Sequence, residues 1–224
     1  MMFGRRILLK GGGALGLGLL ANGLTRAGEV CGLTPTQIEG PFYPVADQAD
    51  KETDLTWVEG HSVRAKGQVV VVEGQVRGLD CAPLAGCLVE IWQACASGRY
   101  NHPSETNPAP LDPNFQYWGR VVADATGSYR FKTIRPGAYP AERDWTRPPH
   151  IHFKVAAPGL PVLVTQMYFD GDPLNGKDLI VRDLSPAERR RVTVPFAPAG
   201  DGLRGRFDIV LGGRRSADAT PYLD

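Results

Sequence analysis

The stretch WGRVVADATGSYRFKT, residues 118–133, shows the pattern on which the fold prediction rests. Two short runs of β-branched and aromatic residues, 118–123 and 128–133, flank the turn sequence DATG at residues 124–127. Such residues are favoured in strands, and a short segment with Asp and Gly between two strands is typical of a tight turn. The stretch therefore predicts a β-hairpin.

The same combination of short apolar runs and turn residues recurs along the chain. Further strands are predicted at residues 68–76, 86–94, 151–156, 162–169, 191–196 and 206–211. About eight short strands at close spacing are typical of a β-sandwich. The 27 Gly and 19 Pro among 224 residues suit many turns and disfavour long helices. We therefore expect an all-β fold, a β-sandwich with long active-site loops at residues 96–115 and 136–149 and little helix.

A single helical turn and a single folded domain complete the expected organisation. Residues 185–190 have a helix signal, with Ser185 as N-cap and Glu188 placed for a capping box. Residues 28–62 show no sustained period, so we expect an irregular N-terminal segment ahead of a β-sandwich domain at residues 63–224. A net charge of +1 gives no electrostatic basis for binding nucleic acid.

The first 27 residues have the features of an export signal. Arg5 and Arg6 open a basic segment that ends at Lys10, and the following residues 11–21 are apolar and rich in Gly and Leu. This stretch is too short to span a bilayer as a helix, and paired arginines ahead of it are typical of twin-arginine signals. We expect a signal peptide at residues 1–27 and a periplasmic or extracellular protein. A short N-terminal membrane anchor is the alternative.

Four cysteines are present, Cys31, Cys81, Cys87 and Cys95. An even number in an exported chain indicates disulfides. No pair has the two-residue spacing of a zinc knuckle. We expect one or two structural disulfides, and the three possible pairings of four cysteines stay open.

Two of the four histidines form the motif His150-Ile151-His152 after two prolines. If a strand starts at His150, the two imidazoles lie on one face, about 7 Å apart along the strand, where both can reach one metal ion. The pair could also be two solvent-facing strand histidines. The motif alone therefore gives a modest metal signal.

A tyrosine in each long loop strengthens this signal. Tyr139 is flanked by Pro136, Gly137 and Pro140, which restrict the backbone, and Tyr100 follows shortly after a predicted strand. Phenolate is a hard ligand that suits iron(III) far better than zinc. Each tyrosine alone could equally be a packed turn residue. Together with the two histidines, they indicate an iron(III) site.

These motifs resemble the intradiol ring-cleavage dioxygenases in order and spacing. The shared segments are residues 83–86, 89–93, 98–100, 111–115, 127–131, 133–137, 147–148, 150–153 and 165–169. Residues 206–211 resemble the closing strand of the family, and residues 39–43 resemble the entry segment of its catechol-cleaving branch. The resemblance covers about two thirds of the chain that follows the signal, and implies a β-sandwich, in agreement with the strand pattern.

The resemblance implies a non-haem iron(III) enzyme that opens a catechol-type ring between its two hydroxyl carbons with O2. Its product would be a cis,cis-muconate-type diacid, and its partners a small aromatic diol and O2. The four iron ligands fall on Tyr100, Tyr139, His150 and His152, with Tyr139 and His152 as the axial pair. Tyr139 would also accept a proton from the substrate.

The resemblance also implies a cationic residue in the site and further residues around the substrate pocket. Arg147 falls on the active-site arginine, which would stabilise negative charge on the substrate; its structural alternative is a salt bridge with Asp144 or Glu142. Gln166, Tyr168 and Tyr43 fall around the substrate pocket.

The sequence also departs from both main branches of the family. Protocatechuate-cleaving members carry a tryptophan directly after the Tyr-Pro of the second ligand loop, where this chain has Ala141. Catechol-cleaving members carry a helical N-terminal domain, and the residues before the first strand here do not look helical. The substrate and the oligomeric state, a homo-oligomer included, therefore stay open.

Two rival function classes can be set against this interpretation. The first is a zinc or iron hydrolase, or an iron(II) oxygenase, which would need a carboxylate ligand close to the motif. The second is a non-catalytic secreted β-sandwich binding module that keeps the scaffold. Such a module would tolerate loss of a ligand, whereas all four positions are filled here.

Overall fold

In the computed structural model, residues 30–46, 48, 52–142, 144–200 and 202–213 are described. The predicted signal peptide lies outside these residues. The strands are β1 (Val69–Arg77), β2 (Leu88–Trp92), β3 (Trp118–Val122), β4 (Ser128–Ile134), β5 (Tyr139–Glu142), β6 (Trp145–Arg147), β7 (His150–Ala156), β8 (Leu163–Phe169), β9 (Thr193–Val194), β10 (Phe196–Ala199), β11 (Gly202–Arg206) and β12 (Ile209–Val210). The α-helices are α1 (Leu179–Asp183) and α2 (Pro186–Val192), preceded by a 3-10 turn at Asn175–Lys177. The predicted all-β sandwich with little helix is confirmed.

Two five-stranded sheets form the sandwich. In the first sheet, β1 pairs antiparallel with β4 on one side and parallel with β11 and β12 on the other, and β10 pairs with β11 at the edge. The second sheet has the order β3-β2-β7-β8-β9. A separate two-stranded ribbon is formed by β5 and β6.

The hydrophobic core lies between the two sheets. Strand β1 alternates between half-buried and buried residues, which is the period-two pattern of a strand with one buried face. Across from it, Ile91 of β2 and Ile151, Phe153 and Val155 of β7 are fully buried in the same cluster. Because successive side chains of a strand point to opposite faces, His150 and His152 lie on the outer face of the second sheet.

The N-terminal segment lies against the sandwich and covers part of that outer face. Its backbone bonds to both sheets: Thr34 N donates to Val210 O at 3.2 Å, and Gln37 N donates to Val164 O at 2.9 Å. A disulfide joins Cys31 to Cys81, across 50 residues of sequence. The other two cysteines are buried thiols, so the structure has one of the expected one or two bridges.

The predicted hairpin at residues 118–133 is wrong, although its turn is present. Gly127 N donates to Asp124 O at 2.9 Å, and Asp124 N donates to Ser128 O at 3.0 Å. The flanking strands nevertheless belong to different sheets, since β3 pairs with β2 and β4 pairs with β1. The turn is therefore a corner between the layers. Gly127 is required there because its φ is +71° and a Cβ would lie 2.6 Å from Val76 O.

Three further boundaries differ from the prediction, and one is confirmed. The loop predicted at residues 136–149 contains the β5–β6 ribbon, the segment 191–196 begins inside α2, and residues 206–211 hold the end of β11 and the two-residue β12. The capping box of α2 is present, because Ser185 accepts from Glu188 N while Glu188 accepts from Ser185 N. None of the helices in the described part of the chain has the length and hydropathy that a bilayer span requires.

Candidate active site

Four predicted side chains meet on the outer face of the second sheet. Tyr100 lies on the loop between β2 and β3, Tyr139 begins β5, and His150 and His152 lie at the start of β7. All four are buried, with exposed fractions between 2% and 7%. The structure thus brings together two phenols and two imidazoles from three separate parts of the chain.

The Nε2 atom of His150 lies within hydrogen-bonding distance of two of the other three polar groups. His150 Nε2 lies 3.2 Å from His152 Nε2 and 3.5 Å from Tyr100 Oη. The ring of Tyr139 lies 5.6 Å from the His150 ring and 5.5 Å from the Tyr100 ring, centroid to centroid. The four rings therefore surround a single point.

Two glycines let the tyrosine-bearing loops approach this closely. Gly98 has a φ of +83°, and a Cβ there would lie 2.2 Å from Ala138 O. A Cβ on Gly137 would lie 2.5 Å from Ala96 O. Backbone therefore packs directly on backbone between the two loops, which only glycine permits. This contact places Tyr100 beside Tyr139.

Aromatic rings fix the orientation of the site side chains. Trp92 stacks on His152, with 4.6 Å between ring centroids and 12° between planes. Phe42, from the N-terminal segment, stacks on Tyr100 at 4.6 Å. Each of these contacts restricts the rotation of a side chain that points into the site. Sequence reasoning did not assign a site role to Trp92 or Phe42.

Burial determines the protonation of the four groups. It lowers the pKa of both histidines well below the ordinary value, and the charge of Arg147 lowers each further. Both imidazoles are therefore neutral at neutral pH. Burial raises the pKa of Tyr100 well above its ordinary value, with Tyr139 adding to the effect; burial also raises the pKa of Tyr139, against the opposing effect of Arg147. In the absence of a cation both phenols keep their protons.

The donor set fits a metal ion. His150 Nδ1 donates to Pro148 O at 2.7 Å, which leaves the lone pair of His150 Nε2 directed at His152 Nε2. The Nδ1 atom of His152 is buried without a hydrogen-bond partner. The described residues contain no group of three or more His, Cys, Asp or Glu side chains that could hold a metal, and the further donors beside the two imidazoles are the phenols of Tyr100 and Tyr139. Two neutral imidazoles and two phenolates suit iron(III).

Arg147, at the end of β6, is held by a buried polar network. Its Nε donates to Asp178 Oδ2 at 2.7 Å, and its Nη2 donates to Gln166 Oε1 at 2.7 Å and to Tyr168 Oη at 3.3 Å. Tyr168 in turn donates to Gln37 Oε1 at 2.9 Å. The ion-pair partner is therefore Asp178, and the alternative of a salt bridge to Asp144 or Glu142 is wrong. Asp178 and Gln37 carried no signal in the local sequence.

A cavity of about 240 Å³ opens beside these groups. Its lining residues are Ile38, Gly40, Pro41, Phe42, Glu105, Thr106, Tyr139, Pro140, Ala141, Trp145, Arg147 and His152. Most of these side chains are apolar, and the polar ones include two of the four candidate metal ligands and Arg147. This mixture of an apolar wall with a few convergent polar groups is typical of a small-molecule site.

The three other pocket residues expected from the sequence are absent from this lining. Gln166 and Tyr168 are fully buried behind Arg147, where they accept hydrogen bonds from it. Tyr43 packs edge-on against Trp92, with 5.0 Å between ring centroids, and its hydroxyl points to Glu90. Each of the three packs against a residue that lines the cavity or that contacts a lining residue. All three therefore lie one layer behind the cavity wall.

Known proteins are similar to this chain over most of its length. A family model described as "Dioxygenase" matches residues 38–213. The protocatechuate 3,4-dioxygenase beta chain of Burkholderia cepacia is 43% identical over 189 residues, which cover 81% of this chain and 79% of that protein. Catechol 1,2-dioxygenase 2 of Acinetobacter lwoffii is 36% identical over 208 residues, which cover 78% of this chain and 70% of that protein.

Solved structures agree with this relationship. The dioxygenase domain of a dioxygenase and carbohydrate-binding fusion protein from Streptomyces sp. SirexAA-E superposes with a TM-score of 0.61. It is 35% identical in sequence, and the match covers 80% of this chain and 98% of that domain. The family model, the two relatives and this structure all bear the name dioxygenase, and they match the region that contains the two-tyrosine, two-histidine site. The chain therefore belongs to the intradiol ring-cleavage dioxygenases, a family of oxidoreductases.

Proposed function

We propose that the protein is an iron(III) dioxygenase that opens a catechol-type ring between its two hydroxyl carbons. The reaction would add both atoms of O2 to the diol and yield a cis,cis-muconate-type diacid. The observation that carries this proposal is the convergence of Tyr100, Tyr139, His150 and His152 beside a cavity that also contains Arg147.

Tyr100, Tyr139, His150 and His152 are the residues that would hold the metal. Iron(III), when bound, would supply Lewis acidity to the two diol oxygens and make the ring reactive toward O2. The protein orients these side chains before a metal binds, through the ring contacts of Trp92 and Phe42 and the hydrogen bond from His150 to Pro148 O. Such positioning lowers the cost of assembling the reactants.

Tyr139 is the residue suited to hold a substrate proton. It lines the cavity, whereas Tyr100 does not. Burial raises the pKa of its phenol, so a phenolate at this position would readily take up a proton. A diol bound in the cavity would lose a proton to the Tyr139 phenolate.

Arg147 supplies a fixed positive charge at the cavity wall. It is 4% exposed, and a guanidinium stays charged even when it is buried. A fixed cation in a water-poor site stabilises negative charge that develops on a substrate much more than it would in water. Arg147 would therefore stabilise the electron-rich ring during the reaction.

The identity of the aromatic diol depends on the cavity wall. Ile38, Pro140, Ala141 and Trp145 give it apolar surface, and the small side chain of Ala141 leaves room for a ring substituent. We therefore propose that the substrate is a substituted catechol. Assays with a panel of catechols would identify the substituent. Plant- or lignin-derived diols would fit an exported enzyme.

Export by a twin-arginine-type signal is part of the same proposal. The observations in its support are Arg5 and Arg6 ahead of a short apolar stretch, and the Cys31–Cys81 disulfide, which is typical of oxidising compartments. That route carries proteins that have folded beforehand, which suits an enzyme that takes up its metal on folding. Cell fractionation of the full chain, beside an Arg5→Lys, Arg6→Lys double variant, would test it: retention of the variant alone in the cytosol is expected, and equal export of both would contradict it.

The decisive test is a visible spectrum of the iron-loaded protein, followed by O2 uptake. Phenolate-to-iron(III) charge transfer should colour the protein red-brown, and a catechol added without O2 should shift the band to longer wavelength. Admitting air should then consume one O2 per catechol as the diacid forms. A colourless iron-loaded protein would contradict the ligand set. A coloured protein that binds catechols without O2 uptake would favour a binding module, and Tyr139→Ala would leave that binding intact.

A further inference from the structure

Asp178 is a fully buried carboxylate with two separate partners. Its Oδ2 accepts from Arg147 Nε at 2.7 Å, and its Oδ1 accepts from Val181 N at 2.9 Å, which caps the N-terminus of α1. Its exposed fraction is 0%, and that of the Arg147 side chain is 5%. An ion pair removed from water to this degree keeps one geometry, since neither partner can turn to solvent instead.

The contacts of Arg147 leave little freedom to its guanidinium. Asp178 holds Nε, while Gln166 and Tyr168 hold Nη2. The guanidinium carbon Cζ lies over the Trp145 ring, 5.4 Å from its centroid. Gln166 and Tyr168 are neutral, so among the described groups bonded to Arg147 only Asp178 provides an opposite charge. The orientation of Arg147 toward the cavity therefore depends mainly on this carboxylate.

We propose that Asp178 is a positioning residue for the ring-opening reaction, which acts by fixing the direction in which Arg147 presents its charge to the cavity. This inference rests on the proposed function. Asp178 is the N-cap of α1, a short helix outside the cavity, and its bond to Arg147 connects the start of this helix to the site. Because Arg147 is placed to act on charge that develops during the reaction, loss of its orientation affects turnover more than substrate binding.

Two substitutions separate this role from helix capping. Asp178→Ser keeps an oxygen that can cap α1, but it is too short to hold Arg147 as well, whereas Asp178→Asn keeps the size and removes the charge. In iron-loaded protein with a catechol, each should lower kcat by about 10–100-fold, as expected when a catalytic group is misplaced. KM should stay within about threefold of the wild-type value.

The matched control is Ser185→Ala. It removes the cap of the neighbouring helix α2, whose capping bonds join Ser185 and Glu188 and include no atom of the Arg147 network. This variant should lower the unfolding temperature while kcat stays within twofold of wild type, in line with loss of an exposed helix cap. A similar fall in kcat for Ser185→Ala would show that loss of local stability is sufficient, and would overturn the positioning role.

A second measurement does not depend on turnover. The Nε proton of Arg147, bonded to a buried carboxylate, should exchange slowly with water in an NMR spectrum of the metal-free full chain, and Arg147→Lys assigns the signal by its disappearance. The signal should broaden or exchange at least tenfold faster in Asp178→Ser. If exchange is unchanged, or if kcat of folded Asp178→Ser stays within twofold of wild type, the positioning role is wrong. Should wild type turn over none of the catechols, the proposed function fails, and proton exchange still decides whether Asp178 holds Arg147.

Discussion

The two faces of β7 are both buried at the start of the strand, from His150 to Phe153, and differ in almost every other respect. On the inner face, Phe153 is apolar and packs in the core against Phe207, with 4.9 Å between ring centroids. On the outer face, His150 and His152 are 2% and 3% exposed and stand among phenols, with Arg147 nearby. One strand therefore serves two purposes, because alternate side chains leave it in opposite directions.

The difference shows that burial has opposite energetic consequences on the two faces. Burial of an apolar ring is favourable in itself, whereas a buried polar group costs free energy unless it is paired. His152 Nδ1 has no partner, and the His150 and His152 Nε2 atoms face one another. The inner face should therefore contribute most of the free energy of folding. The outer face presents polar groups to the site, and their burial lowers the stability of the fold. The following predictions test that division, from the largest expected effect to the smallest.

Phe153→Ala should destabilise the fold by about 3–5 kcal/mol, because it opens a cavity in a core that cannot fully collapse. The kcat of the protein that remains folded should stay within twofold of the wild-type value. Denaturant unfolding gives the stability, and assays well below the melting temperature give kcat. A large loss of activity in the fully folded variant would show that packing on the inner face affects the groups on the outer face.

If Tyr100 and Tyr139 hold iron as proposed, Tyr100→Phe and Tyr139→Phe should each lower iron-dependent turnover by about 100-fold or more, since loss of a ligand exceeds the 10–100-fold cost of losing a residue behind one. The visible band should weaken or shift in both. The unfolding free energy of the metal-free protein should stay equal or rise, because a buried hydroxyl is removed from a polar cluster.

Tyr117→Phe is the control for these two variants. Tyr117 is also a buried phenol, but its hydroxyl accepts from Asp112 N at 2.8 Å and lies outside the candidate site. The band and the turnover should persist in this variant. If Tyr117→Phe also loses the band, the spectrum does not report on Tyr100 and Tyr139.

Gln37→Leu tests whether the N-terminal segment contributes to the outer face. Gln37 accepts from Tyr168 Oη at 2.9 Å and donates to Thr165 Oγ1 at 3.1 Å, and its loss leaves both groups buried with fewer partners. We expect a stability loss of about 1–3 kcal/mol. A modest fall in kcat should accompany it, because Tyr168 contacts Arg147. Neutral stability would mean that water replaces Gln37.

Ile151→Val is the smallest perturbation of the inner face. Removal of one methylene from this fully buried residue should cost about 0.5–1.5 kcal/mol and leave the visible spectrum unchanged. Ile151 lies between the two histidines in sequence, so this variant is a strict test of separation between the faces. A shifted band would show that core packing sets the imidazole positions.

Local sequence patterns predicted what depends on neighbours along the chain. The period of two placed His150 and His152 on one face and Ile151 on the other, as the structure has them. The capping box at Ser185 was likewise predicted from residues three positions apart. The two tyrosines came together in the structure as the resemblance implied, and they carried little signal by themselves.

Contacts between distant residues could not be predicted in this way. The sequence around Asp124 predicts a hairpin that the structure does not have, because the local pattern does not say which sheet a strand will join. Asp178 lies 31 residues from Arg147, and Gln37 lies 131 residues from Tyr168. Only the folded sandwich brings these groups together, so the roles of Asp178 and Gln37 in the network behind Arg147 had no signature in the sequence.

The pairing of β1 has a consequence for how the protein is made. Val70 pairs with Thr133 on one side and with Leu203 on the other, so one flank of β1 finds its partner only after more than a hundred further residues have been made. At a synthesis rate of roughly 5–20 residues per second, β1 waits on the order of ten seconds with an unpaired edge. Unpaired edges invite association with other chains. Strands β11 and β12, which pair with this flank, therefore decide when the sandwich is complete and for how long the nascent chain needs protection.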